Sequence, residues 1–174
     1  MDLRFRNQFI YLYINDMFFK INKMKKNIID VINSLGETDE LFSVGEVDPS
    51  EIVKAAKTLG VKFARDFVEY TRKFGSISVG NMELCGIDDE WNCSTVEQTQ
   101  EMRKLYPNFP KDCYVIENLG IDDAVAVQKS NGKVYQFAEG YEELELLADS
   151  LSEYLLAGNK LRDERSEFWK SQSE

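Results

Sequence analysis

Hydrophobic positions recur at helical spacing early in the chain. Ile28, Ile29, Ile32 and Leu35 share one face, and Gly36 closes the run. Residues 37–49 (ETDELFSVGEVDP) keep no period and read as a loop. Asp48-Pro49-Ser50-Glu51 then opens a second helix, because Asp or Ser caps and Pro suits the first turn. Ile52, Val53, Ala56 and Leu59 form its predicted buried stripe as far as Gly60. A third helix carries Phe63, Phe67, Tyr70 and Phe74 and stops at Gly75. An aromatic stripe at this spacing reads as core, not as a cofactor box.

After Gly75 the period changes from helical to alternating. Ser76–Val79 and Met82–Ile87 read as strands around a Gly80-Asn81 turn, and residues 112–116 as a third. Residues 124–128 and 133–137 form a hairpin around Asn131-Gly132, whose residues accept the positive φ of a tight turn. Glu97 to Tyr106 reads as a helix ended by Pro107 and Pro110. Tyr141 to Ala157 reads as another, with Leu144, Leu147, Leu151 and Leu155 on one face. Strands joined by tight turns pair antiparallel. The predicted fold is therefore α+β: a single domain with an antiparallel sheet of about five to six strands, packed with N-terminal and C-terminal helices.

The N-terminal run 9–21 (FIYLYINDMFFKI) superficially resembles a signal peptide, but Asn15-Asp16 interrupts it and no small-residue cleavage site follows. It is also too short to span a bilayer. Met24-Lys25-Lys26-Asn27 reads as a fresh start, so residues 1–23 are expected to be a start-site artefact or a loosely attached helix. The domain is placed at 24–158, with a charged tail over 159–174.

A chain of 174 residues with 43% hydrophobic and 30% charged side chains can bury one core. Its net charge is −10, which argues against nucleic acid or an anionic membrane and in favour of a basic protein partner. The charge is also uneven. Residues 76–159 hold 16 acidic and five basic side chains, whereas Lys54, Lys57, Lys62, Arg65, Arg72 and Lys73 enrich the second and third helices.

Histidine is absent, which removes Ser-His-Asp and Cys-His catalysis and His-containing zinc sites. No Gly-rich phosphate loop and no G-x-S-x-G occurs. Asp88, Glu90 and Asn92 begin like a calcium loop, but Cys93 and Thr99 stand where Gly and Glu are needed. Cys85, Cys93 and Cys113 contain no C-x-x-C and suit a reducing cytosol as partly buried small hydrophobes. No catalytic residue, metal or cofactor is expected, and the protein is expected to be a cytoplasmic non-enzyme.

The remaining candidates are acidic. Asp88, Asp89, Glu90, Trp91, Glu117, Asp122, Asp123, Glu139, Glu142 and Glu143 form the proposed partner-contact set. Such carboxylates can line a contact surface, form a solvated face, or, least supported here, perform acid–base or metal chemistry. Trp91 fits either an exposed anchor or a buried ring.

The succession Val47-Asp48-Pro49-Ser50-Glu51-Ile52, then Phe63 to Gly75, then Glu83-Leu84-Cys85-Gly86-Ile87, Val115 to Gly120 and the Ala124–Phe137 hairpin resembles the SUKH superfamily. Its Smi/Knr-type domains include yeast cell-wall-assembly regulators. The resemblance covers about residues 47–157 and departs from the family at Val61-Lys62-Phe63, often Leu-Pro there, and at Lys73-Phe74-Gly75-Ser76, often Asn-Gly-Gly. It implies a non-enzymatic α+β domain. Its bacterial members are largely immunity proteins that neutralise polymorphic toxins, often nucleases. The expected function is thus binding a basic toxin domain, with an intracellular adaptor of the same fold as the alternative.

Overall fold

Most of the helices begin where short polar side chains at the N-cap satisfy their first N–H groups. The computed structural model describes residues 27–80, 82–87, 93–120, 124–140 and 143–158. Helix α1 is Ile28–Gly36, and Asn27 Oδ1 accepts from the Ile29 N–H at 2.9 Å. Helix α2 is Pro49–Leu59, and Asp48 Oδ1 accepts from the Ser50 N–H at 2.7 Å. Gly60 ends it at φ 65°, a left-handed turn that a Cβ would strain. Helix α3 is Arg65–Phe74. Helix α4 is Thr95–Leu105, with Ser94 Oγ accepting from the Glu97 N–H at 3.4 Å. Helix α5 covers 151–158.

Strands β1 (Leu41–Ser43), β2 (Ile77–Val79) and β3 (Met82–Leu84) form one antiparallel sheet in that order. Strands β4 (Cys113–Asn118), β5 (Val125–Lys129), β6 (Val134–Phe137) and β7 (Glu145–Ala148) form a second antiparallel meander. Just past β3, the Cys85 N–H donates to the Ile116 carbonyl at 2.8 Å and ties the first sheet to β4. The α+β class with antiparallel strands stands, but the strands divide between two sheets.

Two elements depart from the expected pattern. Strand β1 lies inside the segment read as a loop, because only pairing with β2 orders these three residues. Strand β7 occupies the first half of the expected last helix. There Leu144, Leu147 and Leu151 mimic a helical stripe, yet Ser150 Oγ accepts from the Glu153 N–H at 3.2 Å and starts α5 afresh. The stripe of α2 is also rotated: Ile52, Ala55 and Leu59 are buried while Val53 is 53% exposed.

The second sheet separates two apolar clusters. Tyr114, Ile116, Ala126 and Val134 face a core shared with Val31, Ile32, Phe67, Tyr70, Leu151 and Leu155. Cys113, Val115, Val125, Val127 and Phe137 face a smaller core with Met102 and Phe109. Strand β4 therefore reads as an unbroken buried run and not as an alternation. The cysteines are not scattered thiols either. Cys85 and Cys93 form a disulfide with Cα atoms 4.5 Å apart, and only Cys113 is free and buried. Tertiary structure makes this pair, since the Gly86 N–H donates to the Cys93 carbonyl at 3.1 Å and the Thr95 N–H to the Gly86 carbonyl at 2.8 Å.

Candidate functional site

Of the acidic contact set, Glu117, Glu139 and Glu143 lie among the described residues. Asp88, Asp89, Glu90, Trp91, Asp122, Asp123 and Glu142 lie outside them, as do residues 1–23 and the tail 159–174. Glu139 and Glu143 are exposed on either side of the β6–β7 connection. Beyond them β7 adds exposed Glu145 and Leu146, the latter 49% accessible.

Glu117 is not on the surface. Only 2% of it is accessible, and its Oε2 accepts from the Tyr154 hydroxyl at 2.5 Å. The cause is a register shift in β4: Val115 pairs with Val127, but Glu117 pairs with Ala126. In unbroken alternation Glu117 would point the same way as Cys113 and Val115. The bulge turns it toward Tyr154, which belongs to the opposite core. Glu117 thus anchors α5 and contributes nothing to an exposed acidic face.

The sequence reading missed a second acidic stretch. Residues 37–51 hold Glu37, Asp39, Glu40, Glu46, Asp48 and Glu51 and no Lys or Arg. Folding brings Phe42 (53% exposed) and Val44 (38% exposed) into the middle of it. Four of these carboxylates already have local partners, among them Asp39, which accepts from the Thr38 hydroxyl at 3.1 Å, and Glu51, paired with Lys54 at 3.1 Å. Glu46 is held below the usual carboxylate range by hydrogen bonding and charge from Lys73, 2.7 Å away. Asp48 is lowered by its bonds from the Ser50 hydroxyl and N–H. Glu37 and Glu40 remain exposed beside Phe42. The available signal was the run of acids around Leu41-Phe42, which was read as a solvated loop.

Basic character lies along α2, where Pro49, Ser50, Val53, Lys54, Lys57 and Thr58 line a shallow open hollow. Lys54 is paired with Glu51 at 3.1 Å, and on the second sheet Lys129 is paired with Asp112 at 3.0 Å and Lys133 with Asp149 at 3.1 Å. Among the described residues, no group of three or more His, Cys, Asp or Glu is gathered as a metal ion would require. No described helix is long and apolar enough to cross a membrane.

These features define a small α+β domain built on two antiparallel sheets, with acidic side chains concentrated on strand ends and connections. The SMI1-KNR4 cell-wall family, SUKH_5, matches residues 25–158, and the chain belongs to it. Among solved structures, the chain is similar to a protein from Pseudomonas syringae pv. tomato at 20% identity and a TM-score of 0.56. That match covers 71% of this chain and 91% of the other, and it establishes the shared fold. No curated protein matches the chain.

Proposed function

We propose that this protein is an immunity protein that binds a basic toxin domain and blocks its active surface, without chemistry of its own. Membership of a superfamily that includes toxin-immunity proteins supports the reading. The observation that carries it is the acidic surplus, a net charge of −10, together with exposed Glu139 and Glu143. Such a surface speeds and orients encounter with a cationic partner. The remaining contact candidates are Asp88, Asp89, Glu90, Trp91, Asp122, Asp123 and Glu142, and the proposed site of action is the cytoplasm.

Co-expression with candidate toxin domains, including any encoded next to this chain, tests this reading. Growth rescue and a co-purifying complex that weakens at high salt are expected. A folded protein that neither rescues nor binds would sink the immunity reading and leave an adaptor of the same fold.

A further inference from the structure

We propose that Cys85–Cys93 is a thiol–disulfide exchange site for a low-molecular-weight thiol, with the Cys93 sulfur as the point of attack. The two cysteines are unequal. Cys85 is fully buried, whereas Cys93 is partly exposed. A small thiolate therefore reaches Cys93 Sγ and not its partner. Cys93 also immediately precedes Ser94, the N-cap of α4, where the helix's partial positive charge favours its release as a thiolate in the second step of the exchange.

The backbone holds the pair together independently of the bond. Gly86 and Ser94 form a parallel bridge, and the Gly86 N–H and carbonyl both engage the Cys93–Thr95 segment. On its other side Gly86 packs so tightly that a Cβ there would overlap the Gly75 carbonyl. Reduction therefore leaves the thiols close enough to reoxidise. The Glu83 carbonyl, 3.9 Å from Cys93 Sγ, is placed to accept the reduced S–H.

The exchange balances. A thiolate RS⁻ bonds to Cys93 Sγ as the sulfur–sulfur bond breaks, and Cys85 leaves as a thiolate that takes a proton from water. A second RS⁻ attacks the R sulfur of the mixed disulfide and expels Cys93 as a thiolate, which is then protonated. Two RSH become RSSR, and two electrons pass to the protein. The reverse, with RSSR as oxidant, closes the bridge. The bridge closes a sequence separation of eight. The exchange chemistry itself stands whether or not the partner is a toxin.

The full chain is equilibrated in buffers of varied reduced to oxidised glutathione, quenched with a maleimide and counted by intact mass. Native protein should pass from no labelled thiol to two across that range, with buried Cys113 unlabelled and the bridge mapped to Cys85–Cys93 by non-reducing digestion. In oxidised glutathione, Cys85→Ser should gain one glutathione on Cys93, at least about tenfold faster than Cys93→Ser gains one on Cys85. Two labelled thiols at every ratio, or a bridge that persists in excess reduced glutathione, would overturn the exchange site. Equal modification of the two variants would overturn Cys93 as the point of attack.

Discussion

Leu151 donates its backbone N–H to Asp66 Oδ2 at 2.9 Å, across a sequence separation of 85. The other oxygen, Oδ1, accepts from the Phe67 N–H at 2.9 Å and from Gln128 Nε2 at 3.1 Å. Gln128 is fully buried, and its Oε1 accepts from the Tyr114 hydroxyl at 2.8 Å. That hydroxyl accepts in turn from the Ala64 N–H at 3.0 Å. One carboxylate thus joins the starts of α3 and α5 to the middle of the second sheet. Asp66→Ala removes a helix N-terminal acceptor and one of two acceptors of the Gln128 amide, whose other is the Gly132 carbonyl at 2.9 Å, so a loss of about 1–3 kcal/mol is expected. Urea unfolding measures it; a loss below about 0.5 kcal/mol would mean the network is not coupled to stability.

A second carboxylate, buried Glu117, separates stability from binding. Tyr154→Phe removes the hydroxyl that Glu117 accepts from, and a cost of about 1–3 kcal/mol is expected for a lost buried hydrogen bond. Glu117→Gln should lower the melting temperature while leaving partner affinity unchanged, because 2% accessibility gives a partner nothing to touch. Calorimetry of the protein alone and titration of the complex would tell these effects apart. A large affinity loss at unchanged stability would return Glu117 to the interface.

Alkaline pH should unfold the protein through adjacent residues of β4. Burial, with Asp112 adding to it, pushes the Cys113 thiol from 9.0 up to about 12. Burial likewise raises the Tyr114 hydroxyl above its ordinary 10.0. Each folded group keeps a proton that the unfolded chain releases, so the folded state binds more protons at high pH. This stability is fully present below about pH 9 and falls as pH climbs toward the folded values. Lys129 and Lys133, raised chiefly by hydrogen bonds to Asp112 and Asp149, act in the same direction. Urea midpoints should hold steady from pH 7 to 9 and drop beyond. Cys113→Ser should flatten the early part of that drop; an unchanged profile would assign it to other groups.

How much of this was legible in the sequence depends on what orders each element. Asp48-Pro49 and Gly60 bracket α2 by local chemistry, so its ends were readable; its buried face was not, since Val53 and Ala55 are both small and apolar. Strand β1 has no signal of its own, because its three residues are ordered by β2. The leucine spacing through 144–151 fits two structures, and the Ser150-x-x-Glu153 capping pattern was the clue that decides between them. Glu117 was misplaced because a bulge depends on pairing with β5 and leaves no mark on the strand itself. The Cys85–Cys93 proximity depends on Gly86 meeting Ser94, a contact that spacing alone does not encode.

Two acidic stretches compete as the docking face, and reversing each in turn separates them. Asp88, Asp89, Asp122 and Asp123 changed together to Lys remove four negative charges and add four positive ones, a shift of +8. If the proposed contact set is right, toxin affinity should fall at least about tenfold, mainly through a slower and less salt-sensitive association rate. The parallel variant reverses Glu37 and Glu40 and changes Phe42→Asp, all exposed positions around β1. It should leave affinity within about threefold, since rim charges away from a contact alter encounter only weakly at physiological salt. The β1 variant should keep its urea midpoint near the native value, because exposed substitutions without buried partners cost little, and the midpoint of the Asp variant is measured beside it. The opposite ranking would move the interface to the acidic edge formed by residues 37–51. Losses that scale with the change in charge, larger for the Asp variant than for the β1 variant by that ratio alone and equally salt-dependent, would mean that the partner responds to net charge and not to a defined face.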